Sequence, residues 1–514
     1  MTGLKRKVAQ GTAWVLLERL VAQGVTFGVE IILARLLTPE DYGTVSLLGI
    51  FFSIAGILAG GGLPSALIQK IDADSLDYNS VFYVNVVLAC VLYGLLFLAA
   101  PLIAGFYHTP QLVQITRVAG VSLIVNALSS VQDADLTRKM KFNLSFRISL
   151  VASIVSAISG VTLAYMGFGV WALIYSTLLA GFAGCVAKWL FVGWRPRWIY
   201  SVQRVKRLYS YGWKMAAATM IDQIFVNLNG LLIGRFYSKS DLAFVNKGRS
   251  LPSLAMNSVD GTLGRVSYPA FVFLQNDVAR LGIAARKMLR CSTFLVFPLM
   301  VGLATCAQSI LLLLYGKQWV SAAPYMMLYC FSFAVLPFST INLRILSASG
   351  RSDIFLVLEI LKKVVLLISM LISLKYGVLV FVAVSVFVAG PLALVINTWP
   401  SKRLISYPLR KQLGDVVPIL LICFVQAIVM IAIGILYDFM LQRTGYKTEH
   451  LTTFLIALKI FVQLLPGYLV FFGLSIACRL EPLKDCFEEL VRLIGDKKNR
   501  FVGFLFRRFY LQCT

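Results

Sequence analysis

Residues 231–243 read LLIGRFYSKSDLA, and two hundred positions earlier residues 31–43 read IILARLLTPEDYG. At that constant offset Arg35 matches Arg235, Asp41 matches Asp241 and, just upstream, Gln23 matches Gln223. Each segment closes one apolar run and opens the next across a short polar turn. Working outward, runs of about twenty apolar residues recur along the whole chain, each long enough to cross a hydrocarbon core about 30 Å thick. The chain has 514 residues, 59% hydrophobic and only 14% charged, with a mean hydropathy of +0.81. A soluble domain carries about 25% charge. The pattern predicts an all-α polytopic membrane protein and excludes a soluble enzyme.

Fourteen transmembrane helices are expected, near 11–36, 44–69, 80–106, 112–132, 147–166, 169–192, 210–236, 244–270, 288–315, 322–347, 354–374, 377–399, 415–437 and 451–478. Turn residues separate them, as in Thr38-Pro39-Glu40-Asp41 and Met166-Gly167-Phe168-Gly169. The basic N-terminus precedes an apolar stretch interrupted by Glu18, Arg19 and Glu30, with no small-residue cleavage site after it, so no signal peptide is expected. Of the 48 Lys and Arg, 31 fall on the N-terminal side, in loops, adjoining helix ends and both termini; seven fall on the opposite side and ten inside spans. That asymmetry predicts a cytoplasmic-membrane protein with both termini in the cytoplasm, which an even number of spans allows. The net charge of +25 therefore does not signal nucleic acid. Nine cysteines form no CxxC pair, and neither a disulfide framework nor a metal site is indicated.

The repeat divides the chain. Residues 1–193 form an N-lobe of six spans and 210–400 a C-lobe of six, two pseudo-symmetric halves inserted the same way up. A basic cytoplasmic linker, 194–209, joins them. Two further helices occupy 401–478, and 479–514 is an amphipathic tail expected on the cytoplasmic surface. Gly56, Gly60, Gly61 and Gly62 let the second span bend or pack closely, and close packing is the favoured reading.

Polar stripes run through several spans. Arg19, Gln23, Thr26 and Glu30 share one helical face, and Thr219, Asp222, Gln223 and Asn227 repeat the idea in the seventh span. A charge at the bilayer centre costs about 2.5–3.5 kcal/mol, so such residues should face a wet cavity or a partner. Ten basic residues lie in spans against five acidic ones, which favours an anionic substrate. The candidate cavity cations are Arg19, Lys247, Arg249, Lys362 and Lys363, and Gln23, Glu30, Asp222, Gln223, Asn227 and Glu359 are the candidate polar or ion-coupling groups. Bland readings stand beside these. Arg117, Lys214, Arg265 and Arg344 are near enough to span ends to snorkel, and Glu359 with Lys363 suits a structural i,i+4 pair. No catalytic residues, cofactor or metal are expected: both histidines fall in outer loops, no phosphate-binding GxxxxGK[ST] occurs, and two DxD triplets lack any surrounding nucleotide-binding domain.

The segments LARLLTPEDYG (33–43), GLPSALIQK (62–70), GFGVWAL (167–173), YPAFVFLQND (268–277), YGKQWVSAAP (315–324) and LSASGRSD (346–353) resemble the polysaccharide-transporter branch of the MOP flippases, of the colanic-acid-exporter and teichuronic-acid type. The resemblance implies two six-helix lobes plus two helices. It also implies a flippase that moves a polyprenyl-pyrophosphate-linked oligosaccharide outward by alternating access through a cationic cavity. In the related lipid II flippases the last two helices form a groove for the polyprenyl tail, a role in which Lys459 is unexpected. The partners so implied are the lipid-linked oligosaccharide, membrane lipids, and a polysaccharide polymerase with its assembly proteins. Three rivals are weighed: a MATE-like small-molecule exporter, a membrane-embedded polysaccharide polymerase or ligase, and an assembly scaffold. An acidic cavity would mark the first and a large outer catalytic loop the second.

Overall fold

The computed structural model describes residues 24–443 and 453–485, apart from 71, 140, 350 and 351. Among these, every regular element is helical. The order is α1 (24–36), α2 (Pro39–Leu47), α3 (Gly49–Gly60), α4 (Leu63–Gln69), α5 (Ser75–Phe106), α6 (Leu112–Arg138), α7 (Phe142–Tyr165), α8 (Val170–Phe191) and α9 (Val202–Phe236). It continues with α10 (Lys239–Phe273), α11 (Val278–Thr305), α12 (Ala307–Tyr315), α13 (Ala323–Ala348), α14 (Ser352–Ser373), α15 (Val378–Ile405), α16 (Leu409–Arg443) and α17 (Thr453–Ala477). Two short 3₁₀ turns, Lys317–Ala322 and Leu374–Tyr376, precede α13 and α15. Ten helical spans among the described residues are long and apolar enough to cross a membrane. The expected first, seventh, eighth and eleventh spans are not among the ten, and these carry most of the polar candidates named above.

On the basic side the helices overrun their apolar stretches. α5 begins at Ser75 instead of 80, α9 at Val202 instead of 210, α11 at Val278 instead of 288, and α15 ends at Ile405 instead of 399. Hydropathy locates the edge of the hydrocarbon, whereas a helix ends where its last amides find a cap. Asp74 accepts the Asp77 N–H at 2.9 Å and Asp77 accepts the Asp74 N–H at 3.1 Å, a complete capping box below α5. Ser201 and Asp277 cap α9 and α11 with one bond each, their side chains accepting the Arg204 and Arg280 N–H. Residues 202–209 of the expected linker are therefore the first turns of α9. What remains of the linker docks on α5: the Ser201 N–H donates to Ser80 Oγ (3.0 Å), Tyr83 Oη donates to the Arg197 carbonyl (3.2 Å), and Trp198 stacks on Tyr83.

The second expected span, 44–69, is broken. Gly61 and Gly62 stand at φ 53° and 71°, left-handed conformations that cost glycine little. Bending is thus realised, and close approach with it: a Cβ on Gly62 would lie 1.9 Å from the Gly212 carbonyl oxygen of α9.

The chain divides into two compact units, Met1–Ala243 and Phe244–Thr514. In the first, α5 packs along α6, α7 along α8, and α9 along α3 with further contact to α4 and α5. A core of Leu63, Leu67, Tyr78, Val81, Phe82 and Val131 lies near the basic end. The seventh expected span, α9, therefore packs within the first unit. In the second, α11, α13 and α15 pack together, and α16 pairs with α17 and leans on α11. Its core, which includes Leu289, Phe294, Phe338, Ile345, Ile419 and Phe471, also takes in Leu480, with Leu483 packed against it. The described start of the tail thus buries its apolar face on protein.

Candidate functional site

The two halves of the repeat build the same local structure. In the first, Thr38 N–H and Oγ1 donate to Asp41 Oδ2 (3.0 and 2.8 Å) and the Asp41 N–H returns to Thr38 Oγ1 (3.3 Å). In the second, Ser238 N–H and Oγ donate to Asp241 Oδ2 (3.2 and 2.6 Å) and the Asp241 N–H returns to Ser238 Oγ (3.0 Å). Both are capping boxes at the turn after a polar-striped helix, so the 200-residue correspondence is one of conformation as well as of letters.

In the first unit, Arg19 and Gln23 lie outside the described residues. Glu30 is half-buried on α1 and Asp222 is exposed on α9. One turn on, Asn227 Nδ2 donates to the Gln223 carbonyl at 2.8 Å, with Gln223 Oε1 at 3.4 Å, and Asn227 Oδ1 lies where α9 meets α3 at Gly49. Arg117 sets its guanidinium 4.2 Å from the Phe97 ring.

In the second unit the candidate cations are partnered. Lys247, 4% exposed, sits 4.3 Å from the Tyr315 ring centroid and 4.9 Å from that of Trp319. Gly248 beside it brings α10 against α13, since a Cβ there would lie 2.8 Å from the Met326 nitrogen. A desolvated cation over such rings gains about 2 kcal/mol. Arg249 lies 5.9 Å from the Tyr329 ring. Glu359 meets Lys362 at 2.6 Å, an i,i+3 pair, and Lys363, the partner expected at i,i+4, is half-buried on the same helix. Both spacings share a helical face. Arg344 does not simply snorkel; its Nη2 meets Asp260 Oδ2 at 2.7 Å. Lys459 is explained the same way, by Asp438 at 2.8 Å, so α16 and α17 are held together by an ion pair near their connection. Asp438 falls one residue past the expected end of its span and escaped the count of span charges. The ten-to-five excess therefore overstates the unneutralised positive charge.

Sequence reading missed two networks on the basic face. Asp77, fully buried, takes Lys70 at 2.5 Å and Arg204 at 3.5 Å, and ties the ends of α4 and α9 to α5. Beside it, the Asp77 N–H bond and the Arg204 guanidinium hold the Asp74 carboxyl below the usual carboxylate range. Asp415 accepts from Arg286 Nε and Nη2 (2.7 and 2.5 Å), Arg290 Nη2 (2.6 Å) and Tyr407 Oη (2.7 Å), joining α11 to α16. Burial and the bond to Asp415 push the Tyr407 hydroxyl above the ordinary phenol range. The i,i+4 spacing of Arg286 and Arg290 was the available signal; their common partner, more than a hundred residues away, was not.

A family model described as "Polysaccharide biosynthesis protein" matches residues 32–324. The chain belongs to that family. Succinoglycan biosynthesis transport protein ExoT of Rhizobium meliloti is 24% identical over 408 residues, 79% of this chain and 83% of the relative. Among solved structures, lipid II flippase MurJ in an inward closed conformation superposes with a TM-score of 0.68 at 15% identity, over 90% of this chain and 98% of that one. An inward-facing multidrug resistance MATE transporter of the MOP superfamily gives 0.60 at 17%, over 75% and 95%. At those identities the likeness is one of fold: the family member has a MurJ- and MATE-like helical architecture.

Proposed function

We propose that the protein is a membrane flippase, a transporter and not an enzyme. Its cargo is a polyprenyl-pyrophosphate-linked oligosaccharide, a polysaccharide repeat unit, carried outward across the cytoplasmic membrane by alternating access through a cationic cavity. Membership of the polysaccharide biosynthesis family carries this reading; the MurJ-like architecture over 90% of the chain and the transport role named for ExoT support it. The polar-striped α1, α9, α10 and α14 are the helices assigned to the pathway, with Arg19, Lys247, Arg249, Lys362 and Lys363 as head-group cations. A cation about 4 Å from a phosphate is worth on the order of 4 kcal/mol at an effective dielectric near 20, before desolvation. Cations now bound to aromatic rings or to Glu359 are ready donors, because a pyrophosphate competes for them with a full charge. Glu30, Asp222 and Glu359 are the groups assigned to ion coupling, with Gln23, Gln223 and Asn227 lining the path.

The test is reconstituted flipping of a labelled lipid-linked oligosaccharide. Arg19→Ala, Lys247→Ala and Lys362→Ala should each slow transport by about tenfold or more, the equivalent of one lost charge contact, and Arg280→Ala on the exposed surface should not. Equal rates in all four variants would remove the cations from the mechanism. The shared MATE architecture keeps one rival, a small-molecule exporter. Efflux of organic cations by the same liposomes, with no flipping, would select it.

A further inference from the structure

The second unit contains a cavity of about 800 Å³ between the first turns of α11, the end of α15 and the start of α16. That is the size of sites that hold a drug-sized or larger ligand. One wall is apolar, with Val278, Ile283 and Ile405, and the other presents Arg286 and Lys411. Asp415 is the acidic residue of the lining, but its side chain is only 5% exposed and both oxygens are engaged by Arg286, Arg290 and Tyr407. Its charge is spent inside the protein. Arg286 by contrast is pinned through Nε and Nη2, while its side chain stays 52% exposed. The guanidinium is thus held in place with its Nη1 edge uncommitted, and Lys411 is exposed across from it. Arg286, Arg290 and Lys411 against Asp415 and the surface Glu481, which pairs with Arg290, leave a net positive site.

Depth narrows the occupant. The apolar runs of these helices begin near 288 and 415, so the cavity lies just outside the hydrocarbon, at the level of lipid phosphates. Its surroundings carry Lys402, Arg403 and Arg410 as well, the composition that attracts anionic lipid. We propose that this cavity holds the head group of an anionic phospholipid of the bilayer, its phosphate on Arg286 and Lys411, the rest of the head group against Val278, Ile283 and Ile405 farther out, and its chains leaving toward the hydrocarbon that begins near 288 and 415. The site is independent of the transported cargo, and its failure would leave the transport reading untouched.

The purified full chain, carried in mixed micelles of phosphatidylglycerol and phosphatidylcholine, is examined by native mass spectrometry for retained lipid. The wild type should hold phosphatidylglycerol with about a tenfold preference. Lys411→Glu reverses one charge and breaks no ion pair named above. Ile283→Trp fills the cavity and leaves the Asp415 network intact. Each should lower retention by about fivefold or more with the melting temperature unchanged, while Arg443→Glu, at the far end of α16, should not. Retention unchanged in both cavity variants overturns the proposal. So does loss with Lys411→Glu alone, which would mean a bare charged surface. Displacement of the lipid by excess inorganic phosphate would assign the site to a soluble phosphate instead.

Discussion

At the scale of single residues, what decides the behaviour of a charge in this protein is its partner. Asp415 holds three donor residues, Arg286 and Arg290 of α11 and Tyr407 of the turn before α16, through four hydrogen bonds. Asp415→Ala would leave Arg290, 13% exposed, without its buried counter-charge. A destabilisation of about 2–4 kcal/mol is expected, below the limit for a fully buried pair because Arg286 can turn to water. Thermal unfolding in detergent measures it, and a loss under 1 kcal/mol would mean the network contributes little. Asp74 gives a pH prediction. Its carboxyl is held below the ordinary range in the folded state, so the stability it contributes is complete above the unfolded pKa of about 3.8 and is lost as pH falls through the lower folded value. Acid unfolding should therefore steepen below about pH 4, and Asp74→Asn, which keeps the cap but not the charge, should flatten that limb. Little of this was legible in sequence. That Glu359 pairs along its own helix was, because i,i+3 and i,i+4 neighbours share a face, although Lys363 was the partner expected and Lys362 meets it; Arg344 with Asp260, or Lys459 with Asp438, joins separate helices and leaves no periodic trace.

Among elements, the seam where α9 meets the broken α2–α4 stretch is tightly constrained. Gly62 approaches Gly212 near the basic end, and at the other end Gly234 of α9 stands where a Cβ would lie 2.3 Å from Leu47. Small residues that let backbones meet are how helices associate without a hydrophobic driving force in lipid. Gly62→Val carries two penalties: a β-branched residue at φ 71° and a clash with backbone. A loss of more than about 3 kcal/mol is expected, seen as a drop in folded yield on size-exclusion chromatography; a variant as stable as wild type would show that the seam can open freely. That these segments are helices was plain from twenty-residue apolar runs. Where they end was not, because caps such as Asp74 and Asp277 lie in charged sequence that hydropathy reads as loop.

For the whole molecule, the predictions concern orientation and driving force. A cysteine placed at Lys139 should resist a membrane-impermeant maleimide added outside intact cells, and one at Lys317 should react. The reverse pattern would invert the topology. Flipping of an anionic head group outward is favoured by about 2.3 kcal/mol per charge per 100 mV of inside-negative potential. Collapsing the potential in proteoliposomes should slow transport by about tenfold or more, and an unchanged rate would shift the drive to Glu30 or Asp222 and a coupled ion.

The amino-acid sequence by itself determined the helical membrane class and the repeated turn at Thr38-Asp41 and Ser238-Asp241, because burial in lipid and helix capping act over a few neighbouring residues. The tertiary structure alone decided that α9 packs with the first compact unit, that Lys247 lies under Tyr315 and Trp319, and that Asp415 gathers two arginines of α11. Those outcomes depend on which side chains meet across 68 to 129 positions of chain, and in a low-dielectric interior each charge takes the nearest partner the packing brings to it.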